Sequence, residues 1–253
     1  MGIRAAEIGL DVLNAIISSR TPMSLIELSD RTQLAPSKLH RYLVSLSRYN
    51  MVRQHQTTGL YDVGSAAISM GLTALSRFDG FDLIHERVTS LSKQTGFNTF
   101  VCVWTESGPV LVQSHNVQHA VAWIRIGSTI STISSAAGPI FVAYLDRSTT
   151  ERVIARDTAS EDRDLTEVIR WFDDEVCPGI LEQEVYWTDG SVLPHFAACA
   201  APVFDMQGQL YCAMGVSVPL RQSTSQPDRG MMDMIRETGR SISRELGYAG
   251  RRS

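Results

Sequence analysis

The chain has 253 residues, 43% of them hydrophobic and 20% charged, with a formal net charge of −4. That length predicts two domains of roughly 75 and roughly 175 residues. Composition and patterning argue against a membrane span or a secretory leader, because no run of 18 apolar residues occurs and Arg4 and Glu7 interrupt the N-terminus, so a cytoplasmic location is expected. The four cysteines, Cys102, Cys177, Cys199 and Cys212, show neither C-x-x-C pairing nor a histidine at finger spacing, which predicts small buried residues rather than a disulfide framework or a zinc site.

The first expected helix covers residues 5–18, with Ile8, Val12, Ala15 and Ile16 as its inner stripe. Ser24 and Glu27 then form a capping box, in which the serine accepts from the helix start and the glutamate reaches back to the serine amide. A short helix follows, with Leu25 and Leu28 on one side, ending near Thr32. Pro36 suits the first turn of a third helix, since its missing N–H would be unsatisfied there in any case. Leu39, Leu43 and Leu46 recur as a buried stripe on that helix. Its other face carries Ser37, Lys38, His40, Arg41, Ser45 and Arg48, all donors or cations able to meet phosphates or base edges.

Residues 51–55 and 60–63 read as two strands around Gln56-Thr57-Thr58-Gly59, a wing. Two helices joined by a tight turn and followed by a wing predict a reader of duplex DNA, with the third helix in the major groove. Ser24, Arg53, Thr57 and Thr58 join the candidate contacts from the helix cap and the wing. Charge is divided in the same sense: residues 1–77 balance at +3 and residues 78–253 at −7. A local +3 is modest, so useful affinity calls for paired copies.

Residues 65–77, rich in Ala, Met and Leu, read as a linker helix apolar around much of its circumference. A helix over residues 81–95 closes at Gly96, a candidate left-handed cap. Strands are expected at residues 98–105, 110–115 and 120–126, and a helix at 134–145 whose first amides are accessible. Further helices are expected at 149–156 and 165–176, a hairpin at 197–204 and 210–219, and a last helix at 228–246. These elements make an α+β domain with an antiparallel sheet of five or six strands.

Catalysis is not indicated: no G-x-S-x-G, P-loop or H-E-x-x-H occurs, and neither a metal nor a cofactor is expected. His115 and His119 are four apart on a strand end and loop rather than on one helix face. Asp173, Asp174 and Glu175 read as a solvated helix face.

Four segments together resemble the IclR family of bacterial transcriptional regulators. They are residues 24–28 with 37–43, Thr58-Gly59-Leu60-Tyr61-Asp62-Val63-Gly64, Ile126-Gly127-Ser128 with Ala136-Ala137-Gly138, and Ala200-Ala201-Pro202-Val203-Phe204-Asp205 with Val216-Ser217-Val218. The resemblance implies a winged helix-turn-helix domain (1–64), a linker helix (65–78) and a GAF-like effector-binding domain (79–253). It also implies a homodimer or homotetramer on a palindromic operator, answering to a small organic acid or aromatic catabolite. The effector would meet the start of the 134–145 helix at Ser135, Ala136 and Ala137, beneath the strands holding Phe196, Ala198, Gly215 and Ser217. Free amides at a helix start attract a carboxylate.

The chain departs from the family pattern at Pro139, where Lys is common, at Ser191, where an acid is frequent, and at His195, where Gly is usual. Asp189 is the candidate replacement acid, and His195 is a candidate contact. Trp123, Ile130 and Phe196 favour an aromatic ligand. Lys38 stands where Thr is more common and is the candidate source of operator preference. The competing expectation is a winged helix that binds protein, with a structural α+β domain.

Overall fold

Apolar side chains at helical spacing in the first third of the chain, and at strand spacing beyond it, collect into two cores. The computed structural model describes residues 2–19, 21–76, 80–115, 124–193, 196–219 and 229–250. The chain divides into two compact units, Met1–Phe81 and Asp82–Ser253.

In the first unit, α1 (Arg4–Ile17), α2 (Leu25–Thr32) and α3 (Pro36–Arg48) enclose Val12, Leu13, Ile16, Leu28, Leu39 and Leu43. Leu13 is buried where Ile8 was expected, and Ile8 is half-buried. The capping box is formed: Ser24 Oγ accepts from the Glu27 amide at 3.2 Å, and the Ser24 amide donates to Glu27 Oε2 at 2.7 Å. Strands β1 (Val52–Gln54) and β2 (Tyr61–Val63) pair antiparallel, and the Met23 and Tyr61 amides and carbonyls exchange hydrogen bonds at 2.9 and 2.7 Å. Gly64 leaves the wing where the backbone crosses Asn50, so closely that a Cβ would lie 2.1 Å from the Asn50 carbonyl oxygen. Helix α4 (Ser65–Ser76) follows, with Ile68, Met70 and Leu72 exposed.

The second unit opens with α5 (Phe81–Thr95), closed by Gly96 at φ +69°. Its sheet contains β3 (Asn98–Thr105), β4 (Gly108–His115), β5 (Tyr186–Leu193), β6 (Phe196–Phe204) and β7 (Leu210–Pro219), antiparallel in the order β4-β3-β7-β6-β5. Cys102, Leu111, Ala200 and Ala213 on one face pack with α6 (Ala137–Tyr144), α7 (Arg147–Ser160), α8 (Leu165–Trp171) and α9 (Cys177–Gln183). Ile140, Phe141, Ile154, Phe172 and Ile180 fill that layer. Helix α10 (Arg229–Glu245) packs on β6, where Ser243 Oγ accepts from the Phe204 amide at 2.9 Å.

Four expectations change. The third strand was expected at 120–126, but residues 124–126 form a bend and turn, the rest of that segment lies outside the described residues, and β5 supplies the fifth strand. Gly127 at φ +88° reverses the chain there, donating to the Leu111 carbonyl at 2.7 Å. The 134–145 helix begins only at Ala137, because Ser131 Oγ takes the Ile133 and Ser134 amides in a preceding turn. The 165–176 helix leaves α-geometry at Phe172, runs as a π-helical segment to Val176 and continues into α9, which the sequence reading lacked. Pro178 has no N–H for the regular ladder, and the wide turn lies immediately before it. Helix α7, finally, spans Arg147–Ser160, longer at both ends than expected.

Candidate nucleic-acid interface and ligand cleft

Helix α3 separates cleanly into two faces. Leu39 and Leu43 are 0% exposed, whereas Ser37, Lys38, His40, Arg41, Ser45 and Arg48 all lie exposed. Their common outward direction follows from the burial of the leucine stripe, which fixes the rotation of the helix. Ser45 Oγ donates to the Arg41 carbonyl at 3.0 Å, so its hydroxyl offers a partner an acceptor rather than a free donor. Val44, 44% exposed on the same surface, was absent from the sequence reading. An exposed valine among cations suits a thymine methyl group. Its apolar type is what hid it.

The remaining candidates in this unit are more committed. Ser24 is spent on the capping box, and its backbone N–H holds the Glu27 carboxyl below the usual carboxylate range. Arg53 pairs with Asp62 at 2.6 Å across directly opposed positions of β1 and β2, and His55 Nε2 lies 3.6 Å from the same carboxylate. Thr57 and Thr58 sit exposed at the wing turn, where Thr58 Oγ1 accepts from the Leu60 amide at 3.4 Å.

In the second unit, Ala198 pairs with Ser217 and Ala200 with Gly215, while Phe196 opposes Pro219. Directly opposed residues share a face, so Phe196, Ala198, Gly215 and Ser217 lie on the α6 side of the sheet, as the period-two reading expected. Gly215 is sterically required: a Cβ there would lie 2.0 Å from the Cys199 carbonyl oxygen and 2.7 Å from the Phe100 ring. Trp123 and His195 lie outside the described residues.

The helix start expected to be open is closed. Ser135 is buried, Ala136 is 2% exposed and Ala137 0%, and the Gly138 amide donates to Ser135 Oγ at 2.9 Å. Ile130 packs half-buried against the same core. Side chains from α7 and its C-cap lock the segment that precedes α6. Asp157 Oδ2 accepts from the Thr132 amide at 2.8 Å and from Thr132 Oγ1 at 2.7 Å. One turn on, Glu161 Oε1 accepts from Ser131 Oγ at 2.5 Å and Ser134 Oγ at 2.6 Å.

Beside this locked segment is a cleft of about 800 Å³, lined by Ile133, Ser134, Glu161, Arg163, Trp171, Tyr186, Trp187, Thr188 and Asp189. Asp189 is the one sequence-predicted effector residue among the lining. The Arg163 guanidinium lies 5.6 Å from the centre of the Trp171 ring, a cation–π distance. Burial, with Asp189 nearby, pushes the Tyr186 phenol up to about 12, so it is a hydrogen-bond donor across the physiological range. Aromatic walls and a few hydroxyls suit a planar ring, and Arg163 is the cation of the lining that can meet a carboxylate, against the Glu161 and Asp189 carboxylates on the same wall. Arg163, Trp171, Tyr186 and Trp187 were missed because they come from separate elements with no common spacing.

Among the described residues, no three His, Cys, Asp or Glu side chains gather as a metal-binding group, and no helix is long and apolar enough to cross a membrane. Burial pushes Cys177 up to about 11 and Cys199 to about 12, leaving neither as a ready thiolate.

Residues 5–56 match the IclR helix-turn-helix domain. Over 249 residues the chain is 25% identical to the HTH-type transcriptional regulator BhcR of Paracoccus denitrificans, covering 96% of this chain and 87% of that protein. The crystal structure of Pseudomonas aeruginosa HmgR is 26% identical, with a TM-score of 0.59 and coverage of 98% and 100%. An IclR homolog from Microbacterium hydrocarbonoxydans, solved in complex with 4-hydroxybenzoate, shares the fold at TM-score 0.75 and 14% identity, covering 94% of this chain and 97% of that one.

Proposed function

This chain belongs to the IclR family of bacterial transcriptional regulators, and on that premise we propose an effector-responsive regulator that binds a palindromic operator as a dimer or a dimer of dimers. The observation that carries the reading is α3, whose polar face is exposed opposite two fully buried leucines. In this reading Ser37, Lys38, His40 and Arg41 approach base edges near the start of the helix, with Ser45 and Arg48 nearer the backbone. Thr57 and Thr58 at the wing reach a flanking phosphate. Arg53, paired with Asp62, contributes less charge than a free guanidinium, and Ser24 contributes chiefly by fixing α2.

Pairing is supported by exposed apolar residues that a single copy leaves in water: Ile3, Leu10 and Ile17 seven apart on α1 and its N-cap, and Ile68, Met70 and Leu72 on α4. The cleft beside α7 supports an aromatic acid as effector, its ring between Trp171 and Tyr186 and its carboxylate towards Arg163. That the same fold in a relative carries 4-hydroxybenzoate agrees with this class of ligand. Effector and operator are coupled only if the effector favours one arrangement of the paired copies over another. The protein acts in the cytoplasm, where operator DNA is found.

The test is binding of the full chain to a duplex carrying the promoter of its own gene, against a scrambled duplex, over a range of salt. Sequence preference with a negative salt slope is expected. Equal binding to both duplexes with no salt slope would remove the DNA reading and leave the protein-interaction alternative.

A further inference from the structure

Helix α5 and the edge strand β4 bring together a polar cluster that neither DNA reading nor the ligand cleft uses. His85 and Thr89, one turn apart on α5, face Gln113 and His115 on β4. The two imidazole rings meet edge to face with centres 4.8 Å apart. Gln113 is 5% exposed, and its amide nitrogen contacts His85 Nδ1 while lying 3.4 Å from His115 Nε2. Thr89 Oγ1 lies 3.1 Å from the same Nε2.

Hydrogen bonds leave one buried atom of this group, Gln113 Oε1, unsatisfied. The Thr89 hydroxyl hydrogen goes to the His85 carbonyl at 2.7 Å, so its oxygen turns a lone pair towards His115 Nε2. With His115 protonated at Nδ1, two lone pairs face each other; with it protonated at Nε2, its N–H donates to Thr89 Oγ1 but also stands 3.4 Å from the Gln113 amide nitrogen, itself a donor. Gln113 Oε1 is meanwhile buried with no partner. A half-turn of the amide directs that oxygen at both imidazoles.

The geometry points to a divalent transition-metal site, of the kind that takes Zn²⁺, formed by His85 Nδ1, His115 Nε2, Gln113 Oε1 and Thr89 Oγ1. Four atoms each about 2.1 Å from a tetrahedral zinc stand roughly 3.4 Å apart; Thr89 Oγ1 and the Gln113 amide nitrogen, whose place Oε1 takes on the half-turn, lie 3.1 and 3.4 Å from His115 Nε2, while the closer Gln113–His85 Nδ1 contact opens to admit the ion. Imidazole nitrogen selects first-row transition metals over Mg²⁺ and Ca²⁺. With no carboxylate or thiolate in the set, the site is weaker than a structural zinc centre. His85 is exposed, which gives the ion a path in, and an occupied site would clip α5 to the edge of the sheet.

The test uses untagged full-length protein stripped with chelator, titrated calorimetrically with Zn²⁺ and followed spectroscopically with Co²⁺. One equivalent is expected to bind, with the visible ligand-field bands of four-coordinate Co²⁺ that Zn²⁺ abolishes. His85→Ala and His115→Ala should each weaken Zn²⁺ binding by about 10-fold or more, while His55→Ala, in the wing, leaves it unchanged. Circular dichroism checks that each variant is folded. No binding to wild type at about 100 µM Zn²⁺, or an undiminished single site in the His85→Ala/His115→Ala double variant, would overturn the assignment.

Discussion

Replacing Asp157 with alanine should unfasten the segment that precedes α6. The side chain is 5% exposed and accepts both the amide and the hydroxyl of Thr132, itself 0% exposed. Asp157 also accepts from its neighbour Arg156, but that guanidinium is 49% exposed, so the pair adds little. Leaving a buried donor without its acceptor costs about 1–3 kcal/mol, and two such donors give about 2–6 kcal/mol. For a unit of this size each kcal/mol moves Tm by about 2–4 °C, so the loss is roughly 4–24 °C. Asp157→Asn keeps one carbonyl acceptor and should lose less than half as much. All four tryptophans (Trp104, Trp123, Trp171 and Trp187) fall in the second unit, so tryptophan fluorescence during heating reports on that unit alone. A fall under about 2 °C for the alanine variant would show that Thr132 finds other partners and that Asp157 does not hold the segment.

Three further outcomes follow from named contacts. Arg41→Ala should weaken operator binding and reduce the salt slope by about 1 if the side chain meets phosphate; an unchanged slope with relaxed base preference, read by mobility shift, would make it a base reader instead. Arg163→Ala should abolish the response to an aromatic acid in a promoter reporter while leaving operator affinity intact, and a normal response would move the effector out of the cleft beside α7. For Asp62, partial burial raises the carboxyl, but the Arg53 hydrogen bond, the Val63 amide and His55 outweigh it and the pKa is lowered in the folded state. A depressed folded value contributes stability above the unfolded value near about 4 and loses it as pH falls further. The pair is partly exposed, so the acid-dependent loss should be under about 1 kcal/mol, visible as a difference between wild type and Asp62→Asn in urea unfolding near neutral pH that shrinks progressively as pH falls below about 4 and through the depressed folded pKa.

What the sequence disclosed, and what it hid, divides by range. The DNA-reading helices are written in contacts three or four residues apart, so Ser24 with Glu27, Pro36, and Leu39 with Leu43 marked their starts and faces correctly. The start of α6 was misread for the opposite reason. Ser131, Thr132 and Ser134 are held by Asp157 and Glu161, some 25 to 30 residues away, and no local pattern announces that they are spoken for. Strand β5 was missed because Asp189-Gly190 carries turn chemistry, whereas the chain passes through it with a register shift against β6 between Thr188 and Leu193. The cleft was legible only at Asp189, since Arg163, Trp171 and Tyr186 meet through tertiary packing rather than spacing.

The strand order carries a consequence for synthesis. The centre of the sheet is the pairing of β3 with β7, in which Phe100 lies opposite Gly215, more than a hundred residues later. Closing so long a loop is slow relative to local folding. The first unit ends at Phe81, so its sequence is complete long before β7 exists. A ribosome adding about 5–20 residues per second makes the remaining strands roughly 10 s later. For that interval the nascent chain holds a whole DNA reader beside a half-built regulatory unit, whose β3–β4 hairpin still lacks the strand that covers its inner edge. Chaperone engagement of the growing chain would be expected to concentrate there.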